Sequence, residues 1–388
     1  MANYEPIPGS KIFNALNNAD SIVMAVNPRM AVGVVKGIFR AAKELDAALI
    51  FELAKSESDL KGGYTGLTPA DHARIVKVAA KEIGFDIWAL HADHTTIKKG
   101  TREEIEDTKK LIDAQIKAGY TSFAIDASFL FDSNGKTPEE ELKRNIDVTT
   151  ELAKYIKSHM KGKEFGLEVE VGEIGKTDKH GRVLTTPEEA VAYIKALNKN
   201  GVYPQAIAIA NGSVHGNTYD ANGNPVEQVS IDIPQTIRIG KALEKAGLHV
   251  RIVQHGITGT PRELICTKFP KKAIVKGNVA TFWQDMVWDT LKVFNPVLYS
   301  DIHSWVMSTY GKEAAEKGIT NEKQVFGTYS KKAIGARDKN GKFLFFDRIY
   351  KSDKDTVNAI ESRAYSEALM FFRAFNAKGS AKIVRKTL

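Results

Sequence analysis

The chain has 388 residues, 43% of them apolar and 26% charged, and its 55 Lys+Arg against 47 Asp+Glu give a formal net charge of +8. That balance excludes wholesale disorder, and so modest a basic excess does not by itself require nucleic acid as a partner. Cys266 is the single cysteine, which excludes an intramolecular disulfide and a cysteine-built structural zinc site and fits a reducing cytoplasm.

Met1-Ala-Asn-Tyr-Glu-Pro6 has neither the basic segment nor the apolar run of a secretory leader. No apolar stretch approaches the ~20 residues that cross a bilayer, so membrane insertion is not expected. Beyond this start, short apolar, β-branched runs alternate with longer amphipathic stretches. Strands are predicted at 21–27, 47–53, 87–93, 121–126, 165–171, 206–211, 250–256 and 273–278. Their near-continuous apolar character suits buried parallel strands covered by helices. Between them, Thr68, Thr101, Thr137 and Thr186 each stand three residues before an acid, Asp71, Glu104, Glu140 and Glu189. That spacing is a capping box, in which the Thr oxygen accepts a backbone N–H and the acid reaches back to the cap. Pro69, Pro138 and Pro187 suit the first helical position, and Gly84, Gly119 and Gly247 suit helix ends.

Eight such units predict a (β/α)8 TIM barrel. A doubly wound sheet would want a Gly-rich loop after its first strand, and Pro28-Arg-Met-Ala-Val-Gly33 is no dinucleotide fingerprint. From about Tyr299 the pattern turns helical, with one long amphipathic helix over 353–376 and a basic tail holding Lys382, Arg385 and Lys386. The expected division is a catalytic barrel over 1–298 and a helical extension over 299–388, packed on the barrel or on a partner subunit.

Polar residues gather where the predicted strands end. They are His91, Asp93 and His94 on the third; Asp126 and Ser128 on the fourth; Glu168 and Glu170 on the fifth. Asn211, His215 and Gly216 follow the sixth, His255, Gly256 and Thr258 the seventh, and Asn278 and Thr281 the eighth. Active sites of this fold sit at the C-terminal ends of the strands, so these groups would meet at one mouth. His94, His215 and His255 are three of the nine histidines. Three imidazoles with an open fourth position are a catalytic zinc arrangement. His91 is left open between the mouth and the barrel wall, and His72, His159, His180, His249 and His303 are read as surface or structural. Asp93, beside a ligand, could pass a proton to and from a substrate hydroxyl or orient a histidine. Asp126 and Glu170 could orient ligands, bind metal in a second position, or pair with buried cations. The loops after strands seven and eight are the usual phosphate cradle of the fold, and the Thr258 and Thr281 hydroxyls suit it. Lys276, inside the eighth strand, is the one lysine placed for Schiff-base chemistry, and no second signal supports it.

Leu-His-Ala-Asp93-His94, Ile-Asp126-Ala-Ser128, Glu168-Val-Glu170-Val-Gly172-Glu-Ile-Gly175, Ala-Asn211-Gly-Ser-Val-His215-Gly216, Gln-His255-Gly-Ile-Thr258-Gly259 and Lys-Gly-Asn278-Val-Ala-Thr281 resemble, in order, the motifs of the class II, metal-dependent fructose-bisphosphate aldolases. The resemblance implies zinc on His94, His215 and His255, with Asp126 and Glu170 near the metal and Glu170 able to bind it in an alternative position. It implies Asp93 as the acid/base on the hydroxyl at the cleaved bond. Ser128, Gly216, Gly256, Thr258, Asn278 and Thr281 would meet the substrate and its phosphate. A monovalent cation (Na+ or K+), a phosphorylated ketose substrate, a homodimer or higher homo-oligomer, and a cytoplasmic place in glycolysis or gluconeogenesis are implied as well. The expected reaction is reversible cleavage of fructose 1,6-bisphosphate to dihydroxyacetone phosphate and glyceraldehyde 3-phosphate. The alternatives are another ketose phosphate such as tagatose 1,6-bisphosphate, or a non-catalytic assembly subunit.

Three departures stand out. The family's Gly-Gly and acidic pair after the fifth strand is here Gly175-Lys176-Thr-Asp-Lys-His180, so no second acid/base is assigned on that loop. Ala280 replaces the usual Asp. The C-terminal Arg for the far phosphate has no secure match, with Lys332 nearest and Arg337 close by.

Overall fold

A computed structural model describes residues 3–172, 177–178 and 181–388, with the backbone alone at 177–178 and 181–182. Gly175, Lys176 and His180 of the loop after the fifth strand therefore lie outside the described residues. Eight parallel strands close into a barrel in chain order: β1 Val23–Val26, β2 Leu49–Ala54, β3 Trp88–Thr96, β4 Ser122–Asp126, β5 Gly166–Glu170, β6 Ala206–Ala208, β7 Arg251–Gln254 and β8 Ile274–Val279. β8 closes on β1 through Val23↔Lys276 to Val26↔Val279. The predicted TIM barrel is the observed fold. Its strands are buried on both faces, which explains why they read as unbroken apolar runs.

The helices are α1 Gly9–Leu16, α2 Val34–Leu45, α3 Pro69–Ile83, α4 Arg102–Ala118, α5 Pro138–Glu141, α6 Lys143–His159, α7 Pro187–Lys199, α8 Ile233–Lys245, α9 Arg262–Lys268 and α10 Thr281–Phe294. After them come α11 Pro296–Glu316, α12 Glu322–Tyr329, α13 Phe346–Tyr350, α14 Lys354–Ala374 and α15 Ser380–Arg385. All four threonines cap their helices. The reciprocal box forms only at Thr68 and Thr186. Glu104 instead accepts from the backbone N–H groups of Lys98, Lys99 and Gly100, and Glu140 from that of Lys136.

Two features lie beyond sequence periodicity. The first is α1, which crosses the lower end of the barrel, where Ile7 N donates to Trp88 O and Gly9 N to Thr121 O. A Cβ at Gly9 would lie 2.5 Å from Ser122 Oγ, so only glycine allows this approach. The second is the docking of α14 against α2 and α10. A Cβ at Gly37 would press on the backbone of Glu361, and Phe375 lies against Gly277 of β8. The basic tail is docked too, since Arg385 pairs with Asp46 at 2.6 Å and Asp86 at 2.7 Å. No helix among the described residues is long and apolar enough to cross a membrane.

Candidate metal and catalytic site

Adjacent strand residues point to opposite faces, yet Asp93 and His94 both line the cleft at the barrel mouth. A bulge resolves this. Ala92 pairs with Phe123 and Thr95 with Ile125, so two residues of β3 face the single Ala124 of β4, and His94 takes φ +39°. Bulges and left-handed backbone of this kind occur beside active sites, where they re-aim a side chain. The cleft has a volume of about 710 Å³.

His94, His215 and His255 converge on one side of this cleft, each offering a ring nitrogen within 4.8 Å of the other two. His94 Nε2 is 3.1 Å from His255 Nδ1, and the His215 and His255 rings stack at 5.6 Å. Burial and the charge on His94 push His255 well below its ordinary pKa and His215 down to about 4. Both are therefore neutral near pH 7, the form that binds metal. Burial opposes charge on His94 as well, but Glu170 and Asp93 outweigh it and hold that imidazole well above its ordinary value. His255 Nε2 is buried without a hydrogen-bond partner. Three converging imidazoles fit a resident cation, and the donor set suits zinc. Glu170 and Asp126 lie on the other edge of His94, at 2.6 and 3.7 Å from Nδ1. Burial and Asp126 push Glu170 up to about 8.

His215 comes from the loop after β6, which the C-terminal helices hold in place. Asn217 donates to Asp285 of α10, Asn321 to the Asn222 carbonyl, and Lys323 to Asn224. Gly256, at φ +71°, packs where a Cβ would meet Val214 O at 2.7 Å, and so joins the two histidine loops. Gly216 contributes its carbonyl, which accepts from Gln228.

Asp93 is held from both sides. Asn27 donates to its Oδ2 at 3.3 Å and Asn278 to its Oδ1 at 3.2 Å. Beneath it lies a wholly buried charge cluster that sequence reading missed. Lys276 Nζ is 2.7 Å from Glu168, 2.9 Å from Glu52 and 3.8 Å from Asp93. Burial alone would favour neutral Lys276, but Glu168 and Glu52 outweigh it and keep the amine protonated. Burial would likewise raise Glu168, but Lys276 and His91 hold it at about 2. Burial and Asp93 push Glu52 well above the carboxylate range. His91 belongs to this cluster rather than to the mouth: Nδ1 meets Ser122 Oγ at 2.7 Å and Nε2 faces Lys276. The available signal was a charge inside each of three apolar runs, Glu52 in β2, Glu168 in β5 and Lys276 in β8.

Other expected contact residues are engaged within the protein. Ser128 donates to Asp126 at 2.7 Å, the Thr258 hydroxyl accepts from Phe282 N, and Asn278 also donates to Glu52. The Thr281 hydroxyl accepts from Arg29 at 3.1 Å. Lys332 lies over the Tyr310 and Tyr329 rings and Arg337 over Phe343. Neither lines the cleft; Lys331 and Arg29 do.

The chain matches the family model described as fructose-bisphosphate aldolase class-II over residues 8–331. It is 28% identical over 242 residues to a fructose-bisphosphate aldolase class 2 from Synechocystis sp., covering 59% of this chain and 58% of that one. A D-tagatose 6-phosphate 4-epimerase from Agrobacterium fabrum is 32% identical over 101 residues, 24% of each chain. The chain thus spans less than two thirds of the length of the curated relatives it matches. A crystal structure of fructose-bisphosphate aldolase from Campylobacter jejuni shares the fold, with TM-score 0.61, 18% identity and 97% of each chain covered.

Proposed function

The chain belongs to the class II fructose-bisphosphate aldolase family, and on that footing we propose that it is a zinc-dependent, cytoplasmic aldolase that reversibly cleaves fructose 1,6-bisphosphate. The observation that carries this reading is the convergence of His94, His215 and His255 beside Asp93 at the barrel mouth. The histidines hold the metal, and Glu170 on Nδ1 of His94 orients that ring. When bound, zinc supplies Lewis-acid charge that stabilises the enediolate left as the carbon–carbon bond beside a ketone breaks, a contribution of several kcal/mol.

The remaining work belongs to the chain's own side chains. Asp93 removes the proton of the substrate hydroxyl in cleavage and returns it in condensation. The Asn27 and Asn278 amides fix its two oxygens, so the carboxylate faces the cleft in one orientation. Asp126, held by Ser128 and Thr96, flanks the same Nδ1 edge of His94 at 3.7 Å. Lys276 offers no Schiff-base nucleophile, because it is buried, ion-paired to Glu168 and Glu52, and protonated. The barrel over 1–298 carries the reaction, and the extension over 299–388 supports it and joins subunits of a homo-oligomer.

The test is cleavage of fructose 1,6-bisphosphate and tagatose 1,6-bisphosphate with and without chelator. Cleavage of the fructose substrate that stops on chelation and returns with Zn2+ or Co2+ supports the reading. Chelator-resistant cleavage, inactivation by borohydride with substrate, or preference for the tagatose substrate would each overturn the part it addresses.

A further inference from the structure

A second pocket, of about 410 Å³, lies between α1, α6 and the segments that lead into β5 and β6. Those segments precede their strands, whereas the histidine cleft follows them, so the two spaces are at opposite ends of the barrel, and they share no lining residue. The apolar part of the lining comes from Ala153, Phe165, Leu167 and Val202. Lys11, Lys154, Lys157 and Lys163 surround it with one carboxylate, Glu164. Only Lys11 is neutralised, by Glu164 at 2.9 Å.

The amines of Lys154, Lys157 and Lys163 are exposed and make no ion pair or hydrogen bond among the described residues. Lys154 and Lys157 stand one turn apart on α6, where like charges repel. Elsewhere on the same helix the cation is matched, Lys143 pairing with Asp147 at 2.9 Å. Four lysines against one carboxylate leave the pocket an excess of three positive charges. Two further groups lining it lack partners among the described residues. The Ser10 hydroxyl is buried without a hydrogen bond, and the Tyr203 ring, 65% exposed, touches no other ring. Tyr203 is nonetheless held in place. Gln205 donates to its carbonyl at 3.0 Å and accepts from Leu167 N at 2.8 Å, which ties this segment to β5.

We propose that this lower pocket binds a phosphorylated ligand with a planar apolar part, the chemistry of a nucleoside diphosphate or triphosphate. Lys154, Lys157 and Lys163 take the phosphates as point charges, and Tyr203 with the apolar lining takes the planar part. An excess of three positive charges matches a polyphosphate rather than a single carboxylate. An inorganic anion would leave the apolar lining and the open ring without a role. The volume falls within the roughly 300–1,000 Å³ of small-molecule sites. The proposal is independent of the aldolase chemistry at the other end of the barrel.

The experiment titrates ADP, pyrophosphate and adenosine into the metal-loaded full chain by calorimetry. ADP should bind once per chain and more tightly than either fragment. Lys154→Gln and Lys157→Gln should each weaken ADP and pyrophosphate about 5-fold, the size expected for one exposed charge contact. Tyr203→Ala should weaken ADP at least about 5-fold and leave pyrophosphate unchanged, as loss of a stacking face does. Lys241→Gln, an exposed lysine on α8 outside the pocket, is the control for net charge and should change nothing. All four side chains are exposed, so the variants are expected to fold. No ADP binding at millimolar concentration, binding unmoved by both pocket lysine variants, or an equal loss in Lys241→Gln would overturn the site. Pyrophosphate binding as tightly as ADP would overturn the planar part of the ligand. None of these readouts uses cleavage, so failure of the aldolase reading would leave this test intact.

Discussion

Replacing Lys276 by Met is the most demanding test of the buried cluster. The substitution keeps an unbranched side chain, one heavy atom shorter, and removes its charge. Glu168 at 2.7 Å and Glu52 at 2.9 Å then lose their only close cation, with Asp93 converging on the same space. All three carboxylates are buried. Removing one partner of such a pair typically costs about 3–5 kcal/mol, because the charge left behind has neither water nor a counterion. The sign with pH follows. In the wild type Glu168 sits near 2, so its contribution is present above the ordinary carboxylate pKa and is lost only as pH falls through about 2. Without Lys276, burial dominates and raises the Glu168 pKa, so the penalty is greatest at neutral pH and shrinks towards pH 4.5. Urea unfolding of wild type and variant at pH 7.5 and pH 5 reads both quantities. The double variant Lys276→Met/Glu168→Gln should regain part of the loss, since a neutral pair needs no counterion. A single variant within about 1 kcal/mol of wild type at pH 7.5, with no gain in the double variant, would refute the reasoning.

Two further outcomes follow from the structure. His72 is buried against the Tyr120 hydroxyl at 3.0 Å, and burial lowers its pKa from 6.5 to about 3. The unfolded chain therefore takes up a proton that the folded chain refuses, and stability falls as pH drops from 6.5 towards 3. Unfolding free energies from urea at pH 6.5 and pH 4 should differ less in His72→Gln than in wild type, by roughly 3 kcal/mol at most; an identical acid dependence would contradict the assignment. Asp93→Asn should lower kcat by about 10²–10⁴-fold with little change in KM and wild-type metal content. Recovery of its activity on adding zinc would show that Asp93 acts by orienting His94 instead.

Much of the mouth was legible because histidines and carboxylates at the ends of apolar runs have no packing reason to be there. His94, His215 and His255 come from three separate strand ends, and only barrel closure joins them. What stayed hidden depends on geometry that periodicity does not carry. A strict two-residue alternation would send Asp93 and His94 to opposite faces, and the β3 bulge brings them together. Lys276, Glu52 and Glu168 each look like an isolated charge in an apolar strand, and their mutual neutralisation appears only once β8, β2 and β5 are in register around the barrel. Arg29 sits in a loop read only for its lack of a glycine pattern, and its partner Thr281 is 252 positions away. Helix α1 was missed because it is short and follows Pro8, yet the glycine that starts it is what lets the chain cap the barrel.

The central claim is that three imidazoles hold the metal on which the reaction depends. Zinc stoichiometry and cleavage of fructose 1,6-bisphosphate, measured on the same preparations of wild type, His94→Ala, His215→Ala and His255→Ala, test it most directly. The wild type should hold one zinc per chain, and each folded variant should lose both zinc and activity. Full zinc occupancy in all three variants, or undiminished cleavage without zinc, would contradict it.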